Sequence, residues 1–300
     1  MQRIYLQGMS GLGDNLHQRA IVRHLAATHE VWLETPWPSV YHDLPVRLVR
    51  KASDLRTQDK NAQRERERFE AAVPSISNRR RIWYTHNEIR RRGGFLRAMC
   101  HDWRIDEPDF SLPIPPAWRE RAQVWLDRWQ PDRPLLIYRP LVDRREWSGC
   151  QARNPEAGPY VELLRSVRER FFVVSVADLV PQIEWTVSPP VEADAVCHAG
   201  ELEFEVLAAL VAQAGLVWCS PGFMLILAQA VRAQMVAVFG GHESARLYDH
   251  GYPENLFIEP IQPCECFSKV HPCRKTINFD AARRRLETFL HEPAEDLAAA

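Results

Sequence analysis

Asp14 is the residue around which a reaction could be built. It stands where a glycine-rich turn, Gly8-Met9-Ser10-Gly11-Leu12-Gly13, gives way to a predicted helix over 14–28. Glycines let a backbone turn tightly and approach a ligand closely. A helix start stabilises an anion, so a carboxylate there stays ionised near neutral pH and can take a proton from an attacking hydroxyl. The same position also suits an N-cap aspartate without chemistry, and the residues alone leave both readings open. His17 lies one helical turn on, to orient Asp14, to touch phosphate, or to sit on the surface. A dinucleotide site does not fit, because a carboxylate at the helix start would repel pyrophosphate.

A second group lies in the C-terminal half. Ser220-Pro221-Gly222-Phe223-Met224 and Gly240-Gly241-His242-Glu243 each follow a predicted strand and read as helix starts on one edge of a parallel sheet. Ligands bind beyond the carboxyl ends of such strands, and free N–H groups at helix starts suit a diphosphate. Arg139, Arg144 and Arg145 precede Trp147, and guanidinium forks there could clamp a departing diphosphate in place of a metal, or line a solvated loop. Asp178 follows a strand and Glu201 opens a helix, places from which carboxylates bind ribose hydroxyls, with helix capping the alternative for Glu201.

Cys264, Cys266, His271 and Cys273 fall close together among Pro260, Pro263 and Pro272. Their thiols and imidazole suffice for a tetrahedral structural zinc, although the spacing is not a standard zinc-ligand pattern. Arg79-Arg80-Arg81 and Arg90-Arg91-Arg92 flank Trp83, Tyr84, His86 and Asn87, a mixture suited to a phosphorylated saccharide, a lipid headgroup or nucleic acid, or to a solvated face.

The elements that must position these groups alternate. Strand, glycine loop, helix and strand open the chain as a βαβ unit, and the rhythm resumes at Leu135 with strands at 135–138, 171–176, 216–219 and 235–239 separated by helices. Residues 54–70 are almost wholly polar and read as a mobile loop or solvated helix, and Ile82-Trp83-Tyr84 as a strand. Three hundred residues at 46% hydrophobic content fill two domains. We expect one domain over 1–130, a linker near 131–134, a second domain over 131–280, and a terminal helix with a frayed tail over 281–300. A net charge of -1 gives no global field for nucleic acid. Seven cysteines, an odd count spread singly apart from the last three, are not a secreted disulfide framework. With no signal peptide and no spanning segment, a cytoplasmic protein is expected, at most resting on the inner membrane face.

Gly11-Leu12-Gly13-Asp14-Asn15-Leu16-His17 resembles the N-terminal motif of the heptosyltransferases of glycosyltransferase family nine, and the run from Ser220 to Phe239-Gly240-Gly241 resembles their late block. The resemblance implies an α/β protein of the GT-B fold, two Rossmann-like doubly wound domains facing across a cleft, with the acceptor side in the first and nucleotide-sugar binding in the second. It implies inverting, metal-independent transfer from a nucleoside-diphosphate sugar, an ADP-sugar foremost, to a saccharide or phosphosaccharide hydroxyl in lipopolysaccharide biosynthesis. Asp14 would be the base, with Gly11, Gly13, Asn15, His17, Tyr84, His86 and Arg90 on the acceptor side. Ser220 stands where the family has aspartate, and Ile226 in the region of its histidine, which puts the donor contact and the heptose in question. Late cysteines recur in the family and imply a shared loop. Two rivals remain: transfer to modified nucleic acid, and a nucleotide-binding protein without transfer.

Overall fold

The computed structural model describes residues 1–145 and 152–291; Trp147 and the tail 292–300 lie outside the described residues. The chain divides into two compact units, Met1–Pro113 and Ile114–Ala300. Residues 114–130, expected in the first domain, therefore belong to the second unit.

The first unit runs β1 (Gln2–Gln7), α1 (Leu12–Ala26), β2 (His29–Thr35), β3 (Val46–Arg50), α2 (Arg56–Arg64), β4 (Arg79–Arg81), α3 (His86–Arg92) and α4 (Phe95–Cys100). Its four strands are parallel in the order β3-β2-β1-β4. Consecutive buried residues, Ile4-Tyr5-Leu6 and Val31-Trp32-Leu33, mark β1 and β2 as covered on both faces. The strand near Trp83 lies three residues earlier than expected, at Arg79–Arg81, where the ladder to β1 ends with Gln7 opposite Arg81.

The polar stretch after Asp54 is an ordered helix rather than a loop. Its inner face docks by hydrogen bonds: Asn61 Nδ2 donates to Pro36 O at 2.9 Å, and Glu65, just past the helix, accepts the Ser39 N–H at 2.9 Å. Hydrophobic periodicity cannot register such a face. A Thr85–Glu88 capping box starts α3, and Gly93, at φ 73°, ends it.

A buried arginine anchors α1. The Arg19 side chain is fully enclosed, paired with both carboxylate oxygens of Asp43 at 2.9 Å and bonded to Ser111 O, which ties the end of the unit back to the helix.

The second unit runs α5 (Pro116–Leu126), β5 (Leu135–Tyr138), β6 (Val142–Arg144), α6 (Ala157–Arg165), β7 (Phe172–Val176), β8 (Glu184–Thr186), β9 (Ala195–Cys197), α7 (Phe204–Ala212), β10 (Leu216–Cys219), α8 (Phe223–Ala230), β11 (Met235–Val238), β12 (Asn255–Ile258) and α9 (Phe279–His291). Six parallel strands lie in the order β12-β11-β10-β5-β7-β9, which is the Rossmann order counted from β5. β6 and β8 form a separate antiparallel pair. Leu136, Leu164, Trp218, Val236 and Leu286 share one core beneath the sheet, each apolar side chain stabilising the fold by about 1.5–3 kcal/mol. Trp118 of α5 meets Phe204 of α7 edge-on, so α5 packs inside this unit.

In both sheets the order reverses beside the first strand, between β1 and β4 and between β5 and β10. Such switch points open a crevice at the carboxyl edge.

Candidate functional site

Asp14 sits beside the β1/β4 switch point. The turn leading to it is closely packed and hydrogen-bonded. A side chain at Gly8 would meet Glu34 O at 2.5 Å. Asn15 Nδ2 donates to Met9 O at 2.9 Å and Gly11 O at 2.7 Å, and Trp37 Nε1 to Ser10 O at 2.9 Å. Asp14 is not the N-cap: Gly11 is, and Asp14 is the third helical residue, within the first turn. Its carboxylate folds back over Gly11, where a Cβ would lie 2.5 Å from Oδ2. Tyr84 Oη donates to Asp14 Oδ1 at 2.5 Å. Ile82 N–H bonds Gln7 O at 3.0 Å, which fixes the strand end that delivers Tyr84, and the tyrosine ring leans edge-on against Phe95.

The other acceptor-side candidates divide. His17 is buried against Phe110, their ring centroids 5.2 Å apart, and is no surface histidine. Asn15 is buried in a network with Gln18, Thr35 and Tyr41 and serves the turn. Burial pushes the Tyr41 phenol up, so it remains a neutral partner there. His86 and Arg90 are exposed on α3, and Gly13 lies in the first turn of α1. Arg79 covers the Tyr5 ring and Arg80 the Trp103 ring, at 4.0 and 3.8 Å from the centroids.

In the second unit Arg139 and Ser220 leave β5 and β10 at their switch point, Arg139 N–H bonding Trp218 O at 2.9 Å. The Arg139 guanidinium is buried, bonded to Glu184 at 3.0 Å and Val176 O at 3.2 Å, and lies over Phe223. Burial lowers its affinity for the proton, partly offset by Glu184. It is thus an internal ion pair rather than an open clamp. Arg144, less buried, reaches the same Glu184 at 2.9 Å, and Arg145 N–H bonds Ile183 O. Glu184 draws both arginines together, and no local sequence pattern announces it.

Asp178 bridges Ala199. Glu201 does not open a helix: it accepts the Ala199 N–H at 2.8 Å, and α7 starts only at Phe204, behind Glu203. Near them His198 Nε2 and Ser175 Oγ are 2.8 Å apart, and burial, then Arg139, lowers the histidine pKa. The Ser220-Pro221-Gly222 turn does lead into a helix, with Gly222 at φ 153° and no side-chain cap on α8. Met224 and Ile226 point into the core.

Gly240-Gly241-His242-Glu243 is not a helix start but a packed turn. A Cβ at Gly240 would meet Asn154 O at 2.3 Å. Gly241 N–H bonds Ala152 O at 2.7 Å and Glu243 N–H bonds Gly241 O at 2.8 Å, so these two amides are taken. Buried Glu243 pairs with Arg153 at 2.7 Å.

Beside this turn the ligand atoms of Cys264, Cys266, His271 and Cys273 all lie within 4.8 Å of one another. Burial pushes the Cys273 thiol up to about 11.

No family model matches the chain. Over 73 residues it is 38% identical to a 5-methyltetrahydropteroyltriglutamate–homocysteine methyltransferase of Burkholderia mallei, and 37% to one of Burkholderia pseudomallei. The matched stretch is 24% of this chain, and spans only 10% of those proteins. Solved structures match over nearly the whole chain. ADP-heptose lipopolysaccharide heptosyltransferase II of E. coli aligns at TM-score 0.59 and 16% identity, covering 96% of this chain and 98% of its own. A family 9 glycosyl transferase of Veillonella parvula aligns at TM-score 0.63 and 12% identity, covering 97% and 98%. The iron-containing dodecameric glycosyltransferase TibC of enterotoxigenic E. coli aligns at 0.61 and 14%, covering 97% and 76%. Two parallel α/β sheets with reversing strand order, matched end to end by these proteins, give the chain the GT-B fold of the family 9 heptosyltransferases.

Proposed function

We propose that the chain is a glycosyltransferase moving a sugar from a nucleoside-diphosphate donor to a hydroxyl of a saccharide acceptor, with inversion and with Asp14 as general base. The observation that carries this reading is the Asp14 carboxylate, folded over the start of α1 and held by Tyr84 beside the β1/β4 switch point. Asp14 removes the acceptor proton as the oxygen attacks the anomeric carbon, and the nucleoside diphosphate leaves with the donor bond's electrons. The uncapped start of α8 at Ser220–Phe223, at the second switch point, receives the diphosphate, with Arg144 near the same edge adding positive charge. An ADP-sugar is the donor suggested by the fold neighbour named as an ADP-heptose enzyme. The exposed arginines of β4 and α3 favour a phosphorylated saccharide.

The test is direct. ADP-, GDP-, UDP- and CMP-sugars are screened by thermal shift, because a ligand selective for the folded chain raises its melting temperature. Transfer to phosphorylated and plain saccharides is then measured for wild type and Asp14→Asn. Removing a general base is expected to lower turnover by about 10²–10⁴-fold with nucleotide affinity kept. Full transfer by a folded, nucleotide-binding Asp14→Asn chain would end this reading.

A further inference from the structure

We infer that Cys264, Cys266, His271 and Cys273 bind one tetrahedral d-block dication, zinc or ferrous iron, and that this ion clamps the 261–276 loop onto the Gly240–Ser244 turn. This inference is independent of sugar transfer.

In a tetrahedral site with metal–sulfur bonds of about 2.3 Å, sulfur atoms stand about 3.8 Å apart, and sulfur to imidazole nitrogen slightly less. Here Cys266 Sγ and Cys273 Sγ are 3.6 Å apart, Cys264 Sγ and His271 Nδ1 3.7 Å, and His271 Nδ1 and Cys273 Sγ 3.2 Å. The described cysteines are free thiols. Three thiols and an imidazole converging on one point match the soft and borderline ligands that select zinc or iron. Backbone geometry adds an outer contact: Phe267 adopts φ 51°, and the following Ser268 N–H points at Cys266 Sγ at 3.4 Å. Such N–H groups orient and stabilise a metal thiolate.

The loop that carries the ligands is closed at its neck by Ile261 N–H to Thr276 O at 2.9 Å. Its inner side grips the turn. Phe267 N–H bonds His242 O at 3.1 Å, His242 Nδ1 and Ser268 O are 3.3 Å apart, and Ser244 Oγ donates to Glu265. A side chain on Gly241 would meet Cys273 Cβ at 2.1 Å, so ligand and turn are in direct contact. His242 is held at φ 72°, a conformation that a non-glycine residue keeps only when its surroundings impose it. Short of regular structure, this loop gains its rigidity from the ion, and the turn gains its shape from the loop.

The full chain, purified without chelator, is analysed for zinc and iron by elemental mass spectrometry. It is then stripped with a chelator under reducing conditions and titrated with Co(II). One ion per chain is expected, and the cobalt protein should show sulfur-to-metal charge-transfer and tetrahedral d–d absorption. Zinc and iron are distinguished by which one co-purifies and restores the stripped chain. Cys264→Ser, at a partly exposed position, should weaken cobalt binding more than about tenfold with circular dichroism unchanged. Hydrogen exchange of a peptide covering 240–244 should be several-fold faster in the stripped chain and recover on reloading. A chain that takes up no ion, that holds a Cys266–Cys273 disulfide instead, or whose turn exchanges equally with and without metal overturns the inference. Transfer activity enters none of these readouts, so their outcome is separate from that of the proposed function.

Discussion

Replacing Tyr84 with phenylalanine asks whether Asp14 is held for chemistry. The phenol donates to Asp14 Oδ1 at 2.5 Å, both side chains are half-buried, and the ring's contact with Phe95 survives the substitution. A hydrogen bond to an ionised group stabilises by about 1.5–3 kcal/mol, and the half-exposed position places this one at the lower end, because water can take the phenol's place. At about 1.36 kcal/mol per pH unit, that is a displacement of about one unit. The bond favours the ionised carboxylate, so its loss moves the acid limb of the kcat/KM profile to higher pH. Activity should therefore fall about tenfold on that limb and much less on the plateau. The assay is kcat/KM against pH for both proteins, with nucleotide affinity from calorimetry as the control for the donor half. An acid limb superimposable on wild type, whatever the uniform loss of rate, would mean that the phenol does not hold Asp14 ionised and would leave Tyr84 a packing residue.

Asp43→Asn should destabilise the first unit by about 2–3 kcal/mol, below the usual range for breaking a buried pair because Arg19 keeps its carbonyl partners. Burial pushes the Asp43 carboxyl up, but hydrogen bonds and charge from Arg19 pull it further down, so its net position is below the ordinary value. Its contribution is thus complete above about pH 4 and lost as pH falls through the lower folded value, so wild type and variant melting curves should converge in acid. Gly240→Ala places a methyl against the backbone of Arg153 and Asn154 and should cost about 1–3 kcal/mol, read as a lower melting temperature; an unchanged transition would mean that this backbone yields freely.

Much of the fold was legible because hydrophobic runs and turn residues carry it. β5 and β10 lie where the apolar runs 135–138 and 216–219 put them, and α6 between them follows the 3.6-residue period with Tyr160, Val161, Leu163 and Leu164 buried. What periodicity missed was held by other forces. α2 docks through Asn61 and Glu65, and β9 and β12 are edge strands of only three and four residues, too short to carry a clear alternation. The Gly240-Gly241 pair suggested an open amide cradle, yet its glycines serve close packing against residues 152–154 and Cys273. The Asp14 position was legible from the glycine turn. Its partner Tyr84 was visible as a residue but not as a contact, since the two are separated by 70 positions and meet only when β4 pairs with β1. Glu184 was invisible for the same reason.

The N-cap of α1 shows what the turn is shaped to do. Serine, threonine or aspartate at that position would stabilise the helix by about 1 kcal/mol more than a residue without a capping side chain, whereas glycine gives up only a few tenths. Here the cap is Gly11, with ordinary extended angles, φ -65° and ψ 142°, that any residue can adopt. Backbone freedom therefore does not explain it. The space does: any Cβ would stand 2.5 Å from Asp14 Oδ2, forcing the carboxylate away from the helix start. The glycine keeps the charge against the positive end of α1 and within reach of Tyr84. A residue whose only task was to end a helix would need neither arrangement, and their coincidence on one carboxylate is why Asp14 carries the functional reading.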